Sequence, residues 1–260
     1  MADLIAQHQA LKSEIETALS QVIQNCQFTL GDNVKALEAE IAECCGATYA
    51  VGVNSGTDAL ILALRAVDVG PGDEVITTPF TFVATTEAIV LVGATPVYAD
   101  IDPRTFNLDP SKIEEKVTPR TKAILPVHLY GQAADAKAID AIARKHGLKV
   151  IYDGAQAIGS EAHGEKIGAF GDLTTLSFFP TKNLGAAGDG GMVLTNDADL
   201  ADKLVYLRFH GSAGKYSYNY VGYCSRLHEM QAAVLRVKLP RLDEYNDRRR
   251  RNAAEYGRLL

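Results

Sequence analysis

The chain has 260 residues, of which 47% are hydrophobic and 22% charged, and it carries a net charge of −6 at pH 7. This length and balance are typical of a soluble globular protein with one large domain and a sizeable core. An acidic chain has no excess of basic residues with which to bind nucleic acid or an anionic membrane surface.

Residues 248–251 are four consecutive arginines and form the one basic cluster of the chain. They lie in a helical pattern near Glu244, Asp247 and Glu255, which favours a helix face with salt bridges over a binding patch.

The first residues, Met1 to Leu4, lack the basic and apolar segments of a secretion signal, and no apolar run approaches the roughly 20 residues that span a bilayer. We therefore expect a cytoplasmic protein. The cysteines have no C-x-x-C spacing, which favours reduced thiols over a zinc site or disulfides. They are Cys26, Cys44, Cys45 and Cys224.

The hydrophobic pattern begins with two predicted helices and then changes to short strands alternating with helices. The predicted helices cover 4–24, 33–45, 57–67, 81–91, 110–117, 134–146, 198–208, 229–238 and 243–259. The predicted strands cover 49–53, 74–77, 96–100, 123–127, 148–152, 173–179 and 191–194. Because these strands are nearly continuous apolar runs, both of their faces must be covered, which predicts an α/β fold with a doubly wound, mostly parallel sheet. The last helical pattern reaches the end of the chain without a Gly or Pro stop, so we expect a chain that is cut short.

Lys182 lies in the segment S-F-F-P-T-K-N-L-G, directly after a predicted strand and before a glycine-dense stretch at 185–191. A lysine on a tight loop at the mouth of an α/β sheet is placed to form a Schiff base with an aldehyde cofactor. The local pattern alone also fits a solvated surface charge.

Asp153 follows the apolar strand 148–152, at the end where open α/β sheets bind ligands. On local grounds it could equally cap the next helix. Pyridoxal phosphate requires a carboxylate for its ring nitrogen, a lysine for its aldehyde, and amides and hydroxyls for its phosphate. The chain offers a candidate for each of these.

The turn at 54–58, N-S-G-T-D, stands between a predicted strand and a predicted helix. The start of that helix offers free N–H groups to a phosphate, and Ser55 and Thr57 add hydroxyls, although an ordinary capping box looks similar. Ser177 is a further candidate donor. The turn is not a Walker A loop, because no Gly-Lys-Ser/Thr follows at the required spacing.

Other kinds of site have weaker support. Gly185, Gly188 and Gly191 superficially match a dinucleotide fingerprint, but the order of strand, glycines and acid that a nicotinamide site needs is absent. The six histidines lack the spacing of metal ligands. His128, in V-H-L-Y-G-Q, stands at another strand end and could face the same crevice or the core.

Seven segments resemble, in order and spacing, the DegT/DnrJ/EryC1/StrS family of sugar aminotransferases. They are N-S-G-T-D-A-L (54–60), P-G-D-E-V-I (71–76), T-F-V-A-T (81–85), H-L-Y-G-Q (128–132), D-G-A-Q (153–156), S-F-F-P-T-K-N-L-G-A-A-G-D-G-G (177–191) and S-R-L-H-E-M-Q-A-A-V-L (225–235). The resemblance covers nearly the whole chain, and the lysine segment is its most specific part.

The resemblance implies a three-layer α/β/α fold of type I among pyridoxal-phosphate enzymes, and a homodimer with shared active sites. It divides the chain into a helical arm (1–30), a cofactor-binding large domain (31–240) and the start of a small C-terminal domain (241–260). It also implies amino transfer from L-glutamate to a keto group on a nucleotide-linked sugar.

Carried over by position, Lys182 would hold the cofactor's aldehyde and move protons, with a pKa lowered by burial beside the cationic ring. Asp153 would stay ionised against the ring nitrogen, Gln156 would face the phenolic oxygen, and Phe82 would stack on the ring. The remaining implied contacts are Gly56, Thr57 and Ser177 to the phosphate, Ser55 and Asn183 to the cofactor, and His128, Tyr130 and Arg226 to the substrate.

Two departures from the family pattern stand out. Cys224 replaces the usual Asn in G-Y-N-S-R, where Asn reaches the phosphate of the neighbouring subunit, and a thiol is a poor donor. Family members also continue beyond the equivalent of Leu260.

The segment H-L-Y-G-Q favours acceptors with a 3-keto group over those with a 4-keto group. An aminocyclitol branch, with a keto-inositol acceptor, is an alternative within the family, and a non-catalytic regulatory or scaffold protein is an alternative outside catalysis. Family dehydratases carry histidine in place of the lysine, so Lys182 argues against their chemistry.

Overall fold

The computed structural model describes residues 3–260, so Met1 and Ala2, the first residues of the predicted arm, lie outside it. Eight α-helices and eleven strands occur among the described residues. The helices are α1 (Leu4–Asn25), α2 (Asp32–Cys45), α3 (Gly56–Ala66), α4 (Val83–Leu91), α5 (Ala136–His146), α6 (Ala198–Leu207), α7 (Glu229–Lys238) and α8 (Leu242–Leu259). The strands are β1 (Tyr49–Val53), β2 (Glu74–Thr77), β3 (Thr95–Tyr98), β4 (Thr121–Ile124), β5 (Lys149–Asp153), β6 (Glu161–Ala162), β7 (Glu165–Lys166), β8 (Leu173–Ser177), β9 (Gly191–Thr195), β10 (Ser212–Gly214) and β11 (Ser217–Tyr218).

A seven-stranded sheet in the order β1-β9-β8-β5-β4-β2-β3 forms the centre of the fold. Strand β9 runs antiparallel to both of its neighbours, and the other adjacent strands are parallel. The predicted mostly parallel sheet is confirmed. The short hairpins β6–β7 and β10–β11 were not predicted from the sequence.

Helices cover both faces of the sheet, which confirms the three-layer α/β/α arrangement. Helices α3, α4 and α6 pack on one face against alternate strand residues such as Val75 and Ile151. Helices α2, α5 and α7 cover the other face, against residues such as Tyr152 and Met192. Helix α1 packs on α7 through Leu11, Ile15 and Val234.

The predicted helix at 110–117 is wrong. The segment forms two 3-10 helices, Pro110–Lys112 and Glu114–Lys116, and Asp109 caps the first by accepting a hydrogen bond from the Ser111 N–H. Ile113 is its fully buried apolar residue. A single apolar anchor cannot fix the amphipathic face that a longer helix needs.

The arginine cluster in α8 forms ion pairs along the helix, as predicted. Arg248 pairs with Glu244 and Arg250 with Asp247, and all four side chains are exposed, so these pairs contribute little to stability. Within residues 3–260, no helix combines the length and apolar character that crossing a bilayer demands.

Candidate active site

Asp153 and Lys182 lie at the same edge of the central sheet. Asp153 is the last residue of β5 and is 5% exposed. Its Oδ2 accepts a hydrogen bond from the Thr85 hydroxyl at 2.8 Å, and its Oδ1 accepts one from the Ala155 N–H at 3.1 Å. Lys182 lies on the loop that leaves the neighbouring strand β8, and its charge acts on Asp153.

The loop 178–190 is tightly folded around Lys182. The Lys182 N–H donates to the Phe179 carbonyl at 2.8 Å. A Cβ atom on Gly185 would lie 2.2 Å from the Pro180 carbonyl oxygen, so only glycine fits there. The glycine that follows the lysine is therefore explained by a close backbone approach.

Burial perturbs both groups. It raises the pKa of the Asp153 carboxyl, against the opposing effect of hydrogen bonds from Ala155 and Thr85 and the charge of Lys182. It lowers the pKa of Lys182, against the attraction of Asp153. The sequence predicts a lowered pKa for Lys182 beside the cationic ring of the cofactor. In the structure, burial of the Lys182 side chain by the protein alone already lowers this pKa.

The setting of Asp153 fits pyridoxal phosphate. A buried carboxylate with a raised pKa is stabilised as an anion by a cation placed against it, and a protonated pyridine nitrogen is such a cation. We therefore expect Asp153 to be ionised when the protonated ring nitrogen of the cofactor lies against it.

The strand register brings together the residues that are candidates for binding a phosphate. Gly191 of β9 pairs with Val53 on one side and with Ser177 on the other. A Cβ on Gly191 would lie 2.2 Å from the Ser55 carbonyl oxygen, and a Cβ on Gly56 would lie 2.6 Å from Ser177 Cβ. The start of α3 and Ser177 therefore form one compact cradle that side chains at the two glycines would fill.

The turn before α3 fits both interpretations left open by the sequence. Ser55 is the N-cap of α3, and its hydroxyl oxygen accepts the Asp58 N–H at 3.0 Å. The backbone N–H groups of Gly56 and Thr57 are in the first turn, where helix geometry supplies no carbonyl partner and the dipole favours an anion. Capping and phosphate binding are compatible here.

The side chain of Gln156 contacts the backbone of Tyr130. Gln156 Oε1 accepts the Tyr130 N–H at 2.8 Å, which directs the Gln156 amide nitrogen away from this bond. That nitrogen can donate to the phenolic oxygen of the cofactor.

Tyr130 and Phe82 are exposed aromatic residues. Tyr130 has a left-handed backbone with φ 55° and is 73% exposed. Phe82 is 66% exposed and precedes α4 by one residue.

The segment 224–226 lies beside the start of α3. The Ser225 hydroxyl donates to Asp58 Oδ2 at 2.6 Å. Arg226 donates to Cys224 Sγ at 2.7 Å, and its guanidinium lies 5.1 Å from the centre of the Phe209 ring. The thiol and the arginine of the predicted pattern therefore contact each other, on either side of a serine that bonds to the first turn of α3.

Two predicted residues have other partners. His128 is fully buried and stacks on Tyr152, with ring centres 4.7 Å apart. Since Tyr152 and Asp153 are successive strand residues, their side chains point to opposite faces. The His128 backbone N–H donates to the Asp153 carbonyl at 2.9 Å, but the His128 ring lies on the face away from the Asp153 carboxyl. The Asn183 amide donates to Asn246 Oδ1 at 2.6 Å and so is engaged with α8.

Sequence reasoning missed Thr85 as a partner of Asp153, and missed Lys238 and Asn246 as partners of the lysine loop. Each is a polar residue buried on the inward face of a helix. A polar residue at an apolar position of a helical pattern is the signal that could have found them. No cluster of His, Cys, Asp or Glu suited to a metal ion occurs among the described residues.

A lysine and a buried aspartate at one sheet edge, beside a helix start that fits a phosphate, suit a pyridoxal-phosphate enzyme with an α/β fold of type I. The chain belongs to the DegT/DnrJ/EryC1/StrS aminotransferase family, whose pattern matches residues 9–260. The predicted family, enzyme class and cofactor are confirmed.

Three relatives illustrate the range of the family. A pleiotropic regulatory protein from Geobacillus stearothermophilus is 56% identical over 260 residues, which are 100% of this chain and 70% of the relative. A UDP-N-acetyl-3-dehydro-alpha-D-glucosamine 3-aminotransferase from Acidithiobacillus ferrooxidans is 54% identical, with the same coverage. A dTDP-3-amino-3,4,6-trideoxy-alpha-D-glucose transaminase from Streptomyces venezuelae is 48% identical over 98% of this chain and 67% of its own length.

The solved structure of S. venezuelae DesV in complex with a ketimine intermediate superposes with a TM-score of 0.95 at 48% identity. The match covers 98% of this chain and 68% of DesV. The chain thus spans about two thirds of the length of these relatives.

Proposed function

We propose that this protein transfers the amino group of L-glutamate to a 3-keto sugar linked to a nucleotide diphosphate, a step in amino-sugar biosynthesis. The observation that carries amino transfer is the placement of buried Asp153 and Lys182 at one sheet edge, where each charge acts on the other. The acceptor class is supported by the names of the Acidithiobacillus and Streptomyces relatives, both of which specify amination at C3 of a nucleotide-linked sugar.

The chain's own groups suit this chemistry. Bound pyridoxal phosphate supplies an aldehyde that carries the amino group and a ring that withdraws electrons from the bond being broken. With its pKa lowered by burial, Lys182 is more readily neutral, so its Nζ can attack a carbonyl carbon and accept or return a proton. With the cofactor bound, Asp153 would hold the proton of the ring nitrogen, and Phe82 would stack on the ring.

A homodimer is part of the proposal. The side chains around the start and outer face of α4 are apolar and exposed, and a monomer rarely leaves such a patch open. They are Phe80, Phe82, Val83, Val90 and Leu91. Light scattering of the purified protein should give twice the mass of one chain, and a mass of one chain would exclude the shared site.

The domain division and the cytoplasmic location remain predictions. Helix α8 covers the segment predicted to open a small C-terminal domain, and Leu242 near its start is buried in the core shared with α2 and α7. The first turn of α8 therefore packs against residues of the large domain.

The acceptor is tested by incubating the cofactor-loaded protein with glutamate and a panel of 3-keto and 4-keto nucleotide sugars, with a keto-inositol as comparison. Mass spectrometry should detect an amine from the 3-keto sugars first. Conversion of the keto-inositol alone would replace the sugar assignment with an aminocyclitol one.

A regulatory role is the second candidate, favoured by the name of the Geobacillus relative. It differs from catalysis in what Lys182 does. The catalytic protein should show the visible absorbance of a Schiff base with added cofactor and lose it in Lys182→Ala. A protein without this absorbance, and unchanged by the substitution, would be a binder rather than an enzyme.

A further inference from the structure

Four side chains from α7 and α8 bond to the loop that carries Lys182. The hydrogen bonds are Ala187 N–H to Gln231 Oε1 at 2.9 Å, Lys238 Nζ to the Gly185 carbonyl at 2.7 Å, Asn183 Nδ2 to Asn246 Oδ1 at 2.6 Å, and a long one from Arg249 to the Thr181 carbonyl at 3.5 Å. The loop therefore depends on helices that follow it in the chain.

Asn246 differs from the others because it also binds a second part of the site. Its Nδ2 donates to the carbonyl oxygen of Ile158 at 3.2 Å, in the segment that follows Asp153 and Gln156. Its side chain is 7% exposed. A single buried amide thus joins the neighbour of Lys182 to the strand end that carries Asp153.

We propose that Asn246 is a positioning residue for amino transfer, whose amide fixes the separation between Lys182 and Asp153. The inference rests on the proposed role of Lys182. Asn246 does not touch the reacting atoms. It acts through Asn183 on one side and Ile158 on the other.

Lys238 supports the same arrangement. Its side chain is fully buried, and its ammonium group donates to the Gly185 carbonyl. Burying a charge against one carbonyl is costly. The hydrogen bond to Gly185 offsets part of that cost. It fixes the loop after Lys182 at Gly185, while Asn246 fixes it at Asn183.

The proposal predicts what happens when the amide is removed. In Asn246→Ala the loop loses the bond between Asn183 and α8 and keeps only the long contact of Arg249 with Thr181, so Lys182 should gain access to water. Burial is the dominant cause of the lowered pKa of Lys182, so greater access raises that pKa toward the ordinary lysine value.

The test is competitive labelling of lysines by trace acid anhydride, over a pH series, in the full chain without cofactor. Mass spectrometry of the Lys182 peptide gives its titration curve. In the unchanged protein this curve should lie at lower pH than that of a lysine in an unstructured peptide. Asn246→Ala should abolish the difference, and the milder Asn183→Ala should move the curve the same way, with no further movement in the double variant.

Asn196→Ala is the matched control. Asn196 also bridges two segments, accepting the Thr48 N–H at 2.8 Å and donating to the Gly168 carbonyl at 3.0 Å. It follows the last residue of β9, at the end of that strand away from Gly191 and the candidate active site. An Asn246→Ala protein that is less stable yet keeps the Lys182 curve would overturn the proposal, as would an equal shift in Asn196→Ala. Failure of amino transfer itself is distinguishable, since the labelling requires neither cofactor nor substrate.

Discussion

Thr85 of α4 donates its hydroxyl hydrogen to Oδ2 of Asp153 at 2.8 Å, and both residues are buried. This bond favours the ionised carboxylate, which burial otherwise disfavours. Thr85→Val keeps the volume and removes the donor. We expect cofactor binding to weaken by about tenfold or more, because a hydrogen bond to a charged group contributes about 1.5–3 kcal/mol.

Spectrophotometric titration with pyridoxal phosphate measures this affinity. Thr85→Ser should restore most of it, since the hydroxyl returns. Thr86→Val is the control, because Thr86 bonds to the Tyr98 hydroxyl rather than to Asp153. Equal affinity in Thr85→Val and the unchanged protein would mean that Asp153 needs no help from α4.

Gly191→Ala should disturb the phosphate cradle. Its new Cβ would meet the backbone of Ser55 at 2.2 Å, and backbone atoms cannot move aside as a flexible side chain can. We expect a loss of about 1–3 kcal/mol in the free energy of unfolding, as for other overpacked sites, together with weaker cofactor binding.

Urea unfolding and cofactor titration test this pair of effects. Gly257→Ala is a suitable control, because a Cβ at Gly257 meets open space within α8. If Gly191→Ala retained full stability and affinity, the cradle would have to be looser than the register of β1, β9 and β8 indicates.

The resemblance and the strand pattern predicted more of the site than local spacing alone. Asp153 and Lys182 could be found because strand ends meet at one edge of a parallel sheet. Thr85 and Asn246 could not, since each acts on a residue distant in sequence through a contact that only tertiary packing creates. The sequence left the orientation of the His128 side chain open for the same reason. A strand-end residue can turn to either face, and its partner Tyr152 decided which.

The segment 110–117 shows a second limit. Its apolar spacing matched a helix, but Asp109 and Pro110 favour a tight capped turn, and the chain then turns again after Ile113. Local capping decided the outcome over a pattern too short to bury a face.

Cys224→Asn should strengthen cofactor binding. The resemblance places an asparagine there that reaches the phosphate of the neighbouring subunit, and an amide is a better donor than a thiol. We expect severalfold tighter binding of pyridoxal phosphate, as one added neutral hydrogen bond contributes about 1 kcal/mol. The same titration in Cys26→Asn, an exposed cysteine of α1's C-terminal end, is the control. Unaltered affinity in Cys224→Asn would leave the segment 224–226 without a direct role at the phosphate.

His128 should make the protein less stable as the pH falls. Burial lowers its pKa from 6.5 to about 4, while its Nδ1 accepts the Ala134 N–H at 3.0 Å. The native histidine is therefore neutral at a pH where the unfolded chain binds a proton, so its contribution is complete above pH 6.5 and is lost progressively toward pH 4. At 1.36 kcal/mol per pKa unit the loss amounts to roughly 3 kcal/mol.

Urea unfolding at intervals between pH 7.5 and pH 4 measures this slope. In His128→Asn the side-chain oxygen can still accept the Ala134 N–H but cannot titrate, so the slope of unfolding free energy against pH should flatten in this window. His163→Asn, at an exposed histidine, serves as the control for a general effect of removing imidazole. An unchanged slope in His128→Asn would show that His128 is not the group that gains its proton on unfolding. Asp153 could not account for the slope, because burial raises the pKa of its carboxyl and a raised native pKa favours folding as the pH falls.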